Sequence, residues 1–467
     1  MASGMNRRDF IRLIGAGAAS VSLGMNPRRG RANPMPGDVF WINVQATGGW
    51  DPALFSDPRP TLRTGLNRTL YLYGVPTLTN GMPSMGTGLI TPATSTQIRT
   101  TPNNGIRYLG FADFHGDPAN PNHPYKCFFP TYYDRLTIIN GIDTGTVNHD
   151  IGTRYCASGS DNAGSPCFST QVAYVRGADR PLSFLNLGGY AETAGLLAAT
   201  PLQGGAIPNL LRVVNPDDQS GDNMGVDALL DPGSLDSVLK AHAARTGRLH
   251  DKLLLPEQRR GIQALQLAES GQSNLRALHF AGNDTSQKNV ISIGVDAFRQ
   301  GLAWSMNVNV GGFDTHGDNE QGQAAALYNL FEIVKLILKE TENPSNGKQP
   351  VAAVIAVTSD FGRSPYYRNQ GTDHWPVTSL MVVQNSLAKS MNLPIPTNTV
   401  IGATTGGDQL VALRATKLDP VRLVPDPNGV LVTPGHFVRA LRRLSKIDGS
   451  PKLALFPLTV DKDLAIG

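Results

Sequence analysis

The sequence predicts an α/β fold: a mostly parallel central sheet with helices on both faces, carrying loop and helical insertions. Three observations predict it. Short apolar runs at Val39–Ala46, Ser305–Val310 and Val351–Val357 are too short for buried helices and read as strands covered on both faces. An amphipathic segment, Gln323–Glu340, separates the second run from the third, making a β–α–β unit that favours parallel pairing. Each run also leads into a carboxylate: Asp51 after Thr47-Gly48-Gly49-Trp50, Asp314 after Gly311-Gly312-Phe313, and Asp360 after Thr358-Ser359. In open α/β sheets the ligand crevice lies outside the carboxyl ends of the strands, so these loops are the first place to look for chemistry.

The other elements follow in chain order. Tyr133–Ile142 contains a strand, LTIINGI, and a helix follows over Ile151–Ala157, capped by Asn148 or Asp150. Phe168–Val175 reads as a strand or a helix, and Leu182–Leu187 as a strand. Asn289–Trp304 is a helix feeding the strand at 305. Leu380–Val383 and Thr399–Ile401 are short strands, and Thr433-Pro434 starts a last helix to Leu444, with His436 in a structural place. The span 52–122 is rich in Pro, Gly, Thr and Asn and reads as surface loops, with room for a small hairpin, and 203–233 is again loop-like. Residues 360–373, with Gly362, Pro365, Asn369 and Gly371, also read as a loop. About 233–282 apolar residues recur at helical spacing between charges, which predicts a helical insertion. Its His242, His250 and His279 lack partners at ligand spacing and read as ordinary helix histidines.

Residues 1–32 are expected to lie outside the fold. Asn6-Arg7-Arg8-Asp9-Phe10-Ile11-Arg12 is a twin-arginine pattern followed by a short, weakly apolar run, Leu13–Leu23, which fits an export signal better than a membrane span. The expectation is a periplasmic or secreted protein whose residues 33–467 form one domain, with no stable membrane span once the signal is removed. The chain has 41 basic and 37 acidic residues; the signal holds six and one of these, leaving 35 and 36. A nearly neutral body without a basic stripe argues against a nucleic-acid partner. Three cysteines, Cys127, Cys156 and Cys167, leave one odd thiol in an oxidising compartment, and Cys156 with Cys167 is the expected bridge.

GGWD at 48–51, GGFDTHGDN from 311, TSDFGR from 358, DHWP from 373 and VTPGHFVRALRRL from 432 together resemble the DUF1501 family of twin-arginine-exported bacterial proteins. The likeness covers nearly all of the expected mature chain. That family is similar in architecture to the alkaline phosphatase and sulfatase superfamily, where metal ions sit at the carboxyl ends of a parallel sheet and a nucleophile sits at a helix N-terminus. The resemblance implies metal ligands at Asp51, Asp314, His316, Asp360 and His374. It also implies a histidine after Asp360, where this chain has Phe361, and a hydroxyl or thiol nucleophile, where counting back from Ala157-Ser158-Gly159 arrives at His149.

The donor chemistry stands beside that likeness. Asp314, His316 and His374 make a three-ligand set with an open position, suited to Zn, Mn or Fe. Asp51 with Asp360 is an oxygen-only pair suited to Mg or Ca, which His149 would complete as a further ligand. His149, Arg363 and Asp373 are the candidate catalytic residues, with Arg363 and the helix start near Asn148 expected to stabilise a small anionic ester. Thr144 and Thr146 are fallback nucleophiles. Ser359 and Ser364 lack the G-x-S-x-G setting of a serine hydrolase. The expected activity is metal-dependent hydrolysis of a phosphate, phosphonate or sulfate ester through a metal-activated water. The alternative is a non-catalytic exported binding or assembly protein with a protein partner.

Overall fold

The computed structural model describes residues 37–54, 56–58, 98–109, 128–177, 180–202, 286–317, 319–344, 348–368, 371–406 and 413–466, with two-residue strands between 64 and 83 and isolated helical positions between 237 and 248. The expected signal, Cys127, His242, His250, His279 and nearly all of the expected helical insertion lie outside the described residues.

The fold is α/β, built on one eight-stranded sheet. Its strands are β1 (Val39–Ala46), β2 (Leu136–Asp143), β3 (Phe184–Leu187), β4 (Ala199–Pro201), β5 (Ser305–Val310) and β6 (Ala352–Ser359). After a hairpin, β7 (Gly362–Arg368) and β8 (Gly371–Trp375), come β9 (Val377–Gln384) and β10 (Thr399–Ile401). The sheet order is β4-β3-β5-β1-β6-β9-β2-β10. All neighbouring pairs are parallel except the two that β9 makes, with β6 and with β2.

Alternation along the strands builds two cores. Phe40, Ile42, Val44 and Ala46 of β1 face one layer with Val290 and Phe298 of α4 (Gln287–Arg299) and Leu330 and Val334 of α5 (Asn319–Glu342). Val39 and Trp41 face the other, with Phe168 and Val172 of α3 (Phe168–Gly177) and Phe437 and Leu441 of α7 (Pro434–Leu444). The helices α1 (Phe128–Tyr132), α2 (His149–Ser158) and α6 (Ser386–Ser390) complete the set of seven α-helices among the described residues. None is long and apolar enough to cross a membrane.

The register places the site. Ala46 at the end of β1 lies opposite both Val310 of β5 and Ser359 of β6. The three loops that end in Asp51, Asp314 and Asp360 therefore leave three adjacent parallel strands at one level.

Two expectations are corrected. Residues 362–375 are not a loop but the antiparallel β7–β8 hairpin, in which Arg363 pairs with His374 and the register slips between Arg363 and Tyr367. The slip accommodates Pro365, which has no N–H to give to a ladder. Cys156 and Cys167 are both free and buried. The Cys156 thiol lies 3.8 Å from the Asp360 carbonyl and that of Cys167 lies 3.2 Å from Thr170 Oγ1, so each has its own polar neighbour.

Candidate metal centre

The loop after β1 supplies a cradle. Gly48 and Gly49 take φ of +118° and +81°, conformations that a side chain rarely adopts. A Cβ on Gly48 would meet the Asp314 backbone nitrogen at 2.4 Å, and one on Gly49 would meet the Phe361 ring at 2.5 Å. Freed of side chains, both residues turn their N–H groups onto the Asp360 carboxylate, Gly49 at 2.6 Å and Gly48 at 3.2 Å to each oxygen. Successive backbone donors of this kind form an anion-binding nest. Asp360 is buried there.

His149 opens α2, whose N-cap Asn148 accepts from the Ile151 N–H. Its Nδ1–H donates to Asp360 Oδ2 at 2.5 Å, which leaves Nε2 as the atom facing outward. That Nε2 stands 3.6 Å from Asp314 Oδ2. On the hairpin, His374 Nδ1–H donates to the Val147 carbonyl at 2.9 Å, and its Nε2 lies 3.1 Å from Asp314 Oδ1. His316 sits on the Asp314 loop, with Nε2 3.1 Å from Asp314 Oδ1 and 3.0 Å from His374 Nε2. Its Nδ1 is 3.9 Å from Asp373 Oδ1. Three imidazoles thus turn Nε2 toward one carboxylate, and those of His149 and His374 each donate Nδ1–H to an oxygen. This is how metal-ligating histidines are held: the outer acceptor fixes the tautomer and leaves the inner lone pair for the ion.

Asp314 is ionised across the working pH range. Burial raises its pKa, but the Arg363 hydrogen bond, the His374 contact and the Arg363 charge outweigh it and hold the carboxyl at about 2. The fit to a cation follows from lone pairs. A carbonyl cannot donate, so the proton of a neutral His374 is on Nδ1. Its bare Nε2 then faces a carboxylate oxygen 3.1 Å away. Two acceptors at that distance repel unless a donor or a cation joins them: an Nε2–H of His316, 3.0 Å from His374 Nε2 and 3.1 Å from Asp314 Oδ1, an imidazolium proton, or a bound cation. His149, Asp314 and His374 offer ligand atoms all within 4.8 Å of one another, and Asp314, His316 and His374 make a tighter triangle of 3.0–3.1 Å.

Apolar and buried polar groups back this cluster. The Phe361 ring, where the resemblance implies a histidine, is buried and packs 4.7 Å from the His149 ring and 4.4 Å from that of His374, centroid to centroid. It walls off one side of both imidazoles.

Several residues are placed differently from their expected roles. Arg363 is fully buried: Nε donates to the Gly49 carbonyl, Nη1 to that of Thr372, and Nη2 to the Gly48 and Phe313 carbonyls and Asp314 Oδ1. Its donors face inward, so it clasps three chain segments and Asp314 rather than offering a guanidinium to an anionic substrate. The buried Asp51 carboxylate accepts from the Ala53 N–H at 3.1 Å and the Asn319 amide at 3.2 Å. It holds the loop to α5 and is not in the group of atoms that surrounds Asp314. Asp360, bonded to two glycine N–H groups and to His149, acts through that histidine. Asp373 is half exposed and stands behind His316.

The candidate hydroxyls are already engaged. Thr144 Oγ1 donates to the Thr146 or Pro376 carbonyl, Thr146 Oγ1 accepts from Asn148 N–H, Ser359 Oγ accepts from Trp50 N–H, and Ser364 Oγ accepts from Asp373 N–H. His436 is structural as expected, its Nδ1 accepting from the Thr433 N–H and closing the first turn of α7.

Three contributors escape the sequence reading. Val147 acts through its carbonyl, which no side chain signals. Asn319 and Gln323 are wholly buried in the first turns of α5, where Gln323 accepts from Asp51 N–H and donates to the Gly49 and Phe313 carbonyls and Thr315 Oγ1. Two amides at the start of an otherwise apolar helix face were the available signal. In comparisons with known proteins, no family model and no curated protein matches this sequence.

Proposed function

We propose that this chain is an exported metal-dependent hydrolase of a phosphate, phosphonate or sulfate ester, resembling the DUF1501 family and similar in plan to the alkaline phosphatase and sulfatase superfamily. The observation that carries the reading is the turning of three Nε2 atoms onto Asp314, with Nδ1 of His149 and of His374 each bonded to an oxygen. The placing of this cluster at the carboxyl ends of β5, β1 and β6 supports the likeness in plan. Asp314 and His374 belong to both candidate triads, and His316 completes the tighter one. A divalent cation held there supplies Lewis acidity and brings the pKa of water down toward ~7.

The chain's own residues supply the rest. His149, with Nδ1 occupied by Asp360, presents a bare Nε2 placed to accept the proton of an attacking water. The start of α2 offers backbone N–H groups and a dipole that favour an anionic ester beside it. Arg363 keeps Asp314 ionised and aimed. Phe361 limits water behind the imidazoles.

A second reading, an exported binding protein on the same scaffold, is favoured by Phe361 standing after Asp360 and by the engagement of every candidate hydroxyl. Turnover of aryl phosphate, phosphonate and sulfate esters by metal-loaded and chelator-stripped protein separates the two. The hydrolase reading expects a rate that is lost on stripping and in Asp314→Asn. Bound metal without turnover on any of the three ester classes would favour the binding protein.

A further inference from the structure

His149, Gly152 and Cys156 are spaced three and four residues apart, so they share one face of α2. All three meet the same residue just past β6. His149 Nδ1 bonds Asp360 Oδ2 at 2.5 Å, and the Cys156 thiol lies 3.8 Å from the Asp360 carbonyl oxygen. Between them Gly152 is buried. A Cβ on it would stand 2.3 Å from that carbonyl oxygen, 3.0 Å from its carbon and 3.2 Å from Phe361 Cδ1.

The obstacle is backbone that has nowhere to go. Asp360 directly follows β6, which is paired on both sides, and its carboxylate is held by the Gly48 and Gly49 N–H groups. Alanine is the better helix former at an interior position, so the helix alone gives no reason for a glycine at 152. The close approach does. Bringing a methyl group there from 2.3 Å out to an ordinary contact of at least 3.4 Å would lift α2 by about 1 Å.

We infer that Gly152 is a positioning residue. The bare face it gives α2 lets the helix seat on Asp360, and this seat sets the His149–Asp360 hydrogen bond and so decides which nitrogen of His149 faces Asp314. Its part in turnover rests on the hydrolase reading; the seating of His149 does not. Lifting α2 draws His149 Nδ1 away from Asp360 Oδ2, releases the tautomer and displaces Nε2 from its place 3.6 Å from Asp314 Oδ2. A misplacement of about 1 Å costs on the order of 100-fold in rate.

Proton NMR of the chelator-stripped full chain, with isotope-labelled histidine, reads the bond without metal or turnover. An imidazole N–H bonded to a carboxylate resonates far downfield, and its absence in His149→Gln assigns it. The inference expects this resonance in the parent, its loss or upfield shift in Gly152→Ala, and its retention in Thr153→Ala, which alters the next residue of the same helix. Cys156→Val crowds the same carbonyl one turn later; it is expected to move the resonance in the same direction and decides the matter should Gly152→Ala not fold. On whichever ester the parent hydrolyses, kcat is expected to fall about 10–100-fold in Gly152→Ala with KM within about threefold. No such resonance in the parent, or a folded Gly152→Ala that leaves it unmoved, overturns the inference. A moved resonance with full turnover overturns the part in catalysis. A moved resonance in protein whose parent hydrolyses none of the esters supports the seating and overturns only the hydrolase reading.

Discussion

Replacing Arg363 with methionine tests the clasp that shapes the site. Methionine keeps much of the apolar stem and removes every donor. The guanidinium is fully buried and serves five acceptors: the carbonyls of Gly48, Gly49, Phe313 and Thr372, and Asp314 Oδ1. The Gly49 and Phe313 carbonyls keep a bond from the Gln323 amide, so each loses only about 0.5–1 kcal/mol. The Gly48 and Thr372 carbonyls lose a charged donor, at about 1–2 kcal/mol each. Asp314 is half exposed, and solvent screening limits its share to about 1 kcal/mol or less. The loss comes to roughly 3–7 kcal/mol, overlapping the ~3–5 kcal/mol for removing one partner of a buried ion pair. Arg363→Lys has three donors for five acceptors and should lose about half as much. Urea unfolding followed by tryptophan fluorescence reads both variants, and metal titration of the still-folded protein reads Asp314. A methionine variant within ~1 kcal/mol of the parent, with unchanged metal affinity, would refute the clasp.

Further outcomes follow from the same contacts. Asp314→Asn is isosteric but neutral, and metal content should fall by more than the ~10–100-fold typical of losing a partner behind a ligand, as read by elemental analysis after dialysis. Asp360→Asn should lower turnover about 10–100-fold with metal content retained, since it acts through the tautomer of His149; a fully active variant would show that the Asp360–His149 bond is idle. The Asp314 carboxyl should titrate at about 2 in carbon-13 NMR and move toward ~3.9 in Arg363→Met. Because its folded pKa is depressed, its stabilising contribution is present above the unfolded value and is lost as pH falls through the folded one. Ser359→Ala and Thr144→Val should leave the ester hydrolysis rate within about threefold of the parent, or ~0.6 kcal/mol in the barrier, because both hydroxyls serve the fold.

The legible part of the molecule was the part with strong periodicity. Val39–Ala46 and Ser305–Val310 were readable to the residue, because each is a short stretch with apolar residues at every second position or closer, bounded by glycine and polar loop residues. The β–α–β logic joined the strand at 305 to the one ending at Ser359, while Asp314, His316 and His374 were named together by the family resemblance and their donor chemistry.

What stayed hidden was long-range. The β7–β8 hairpin carries Pro365 and a register slip, and its strands lack period-two alternation. A charged residue at 363 reads as solvent-facing, and only the carbonyls of Gly48, Gly49, Phe313 and Thr372, from three distant segments, make its burial tolerable. Asp51 and Asp360 looked alike as strand-end carboxylates. Local donors distinguish them: the Ala53 N–H and Asn319 amide hold the first, and the glycine nest and His149 hold the second. The cysteine pairing rested on sequence proximity, which says nothing of how two thiols are directed.

The account turns on a cation at Asp314. Crystals of the metal-loaded protein, with anomalous scattering collected at the absorption edge of the bound metal, test it most directly. The prediction is one peak per chain, within about 2.0–2.3 Å of Asp314 Oδ1 and the Nε2 atoms of His316 and His374. An anomalous peak elsewhere, or none at this cluster in protein that retains metal, would contradict it.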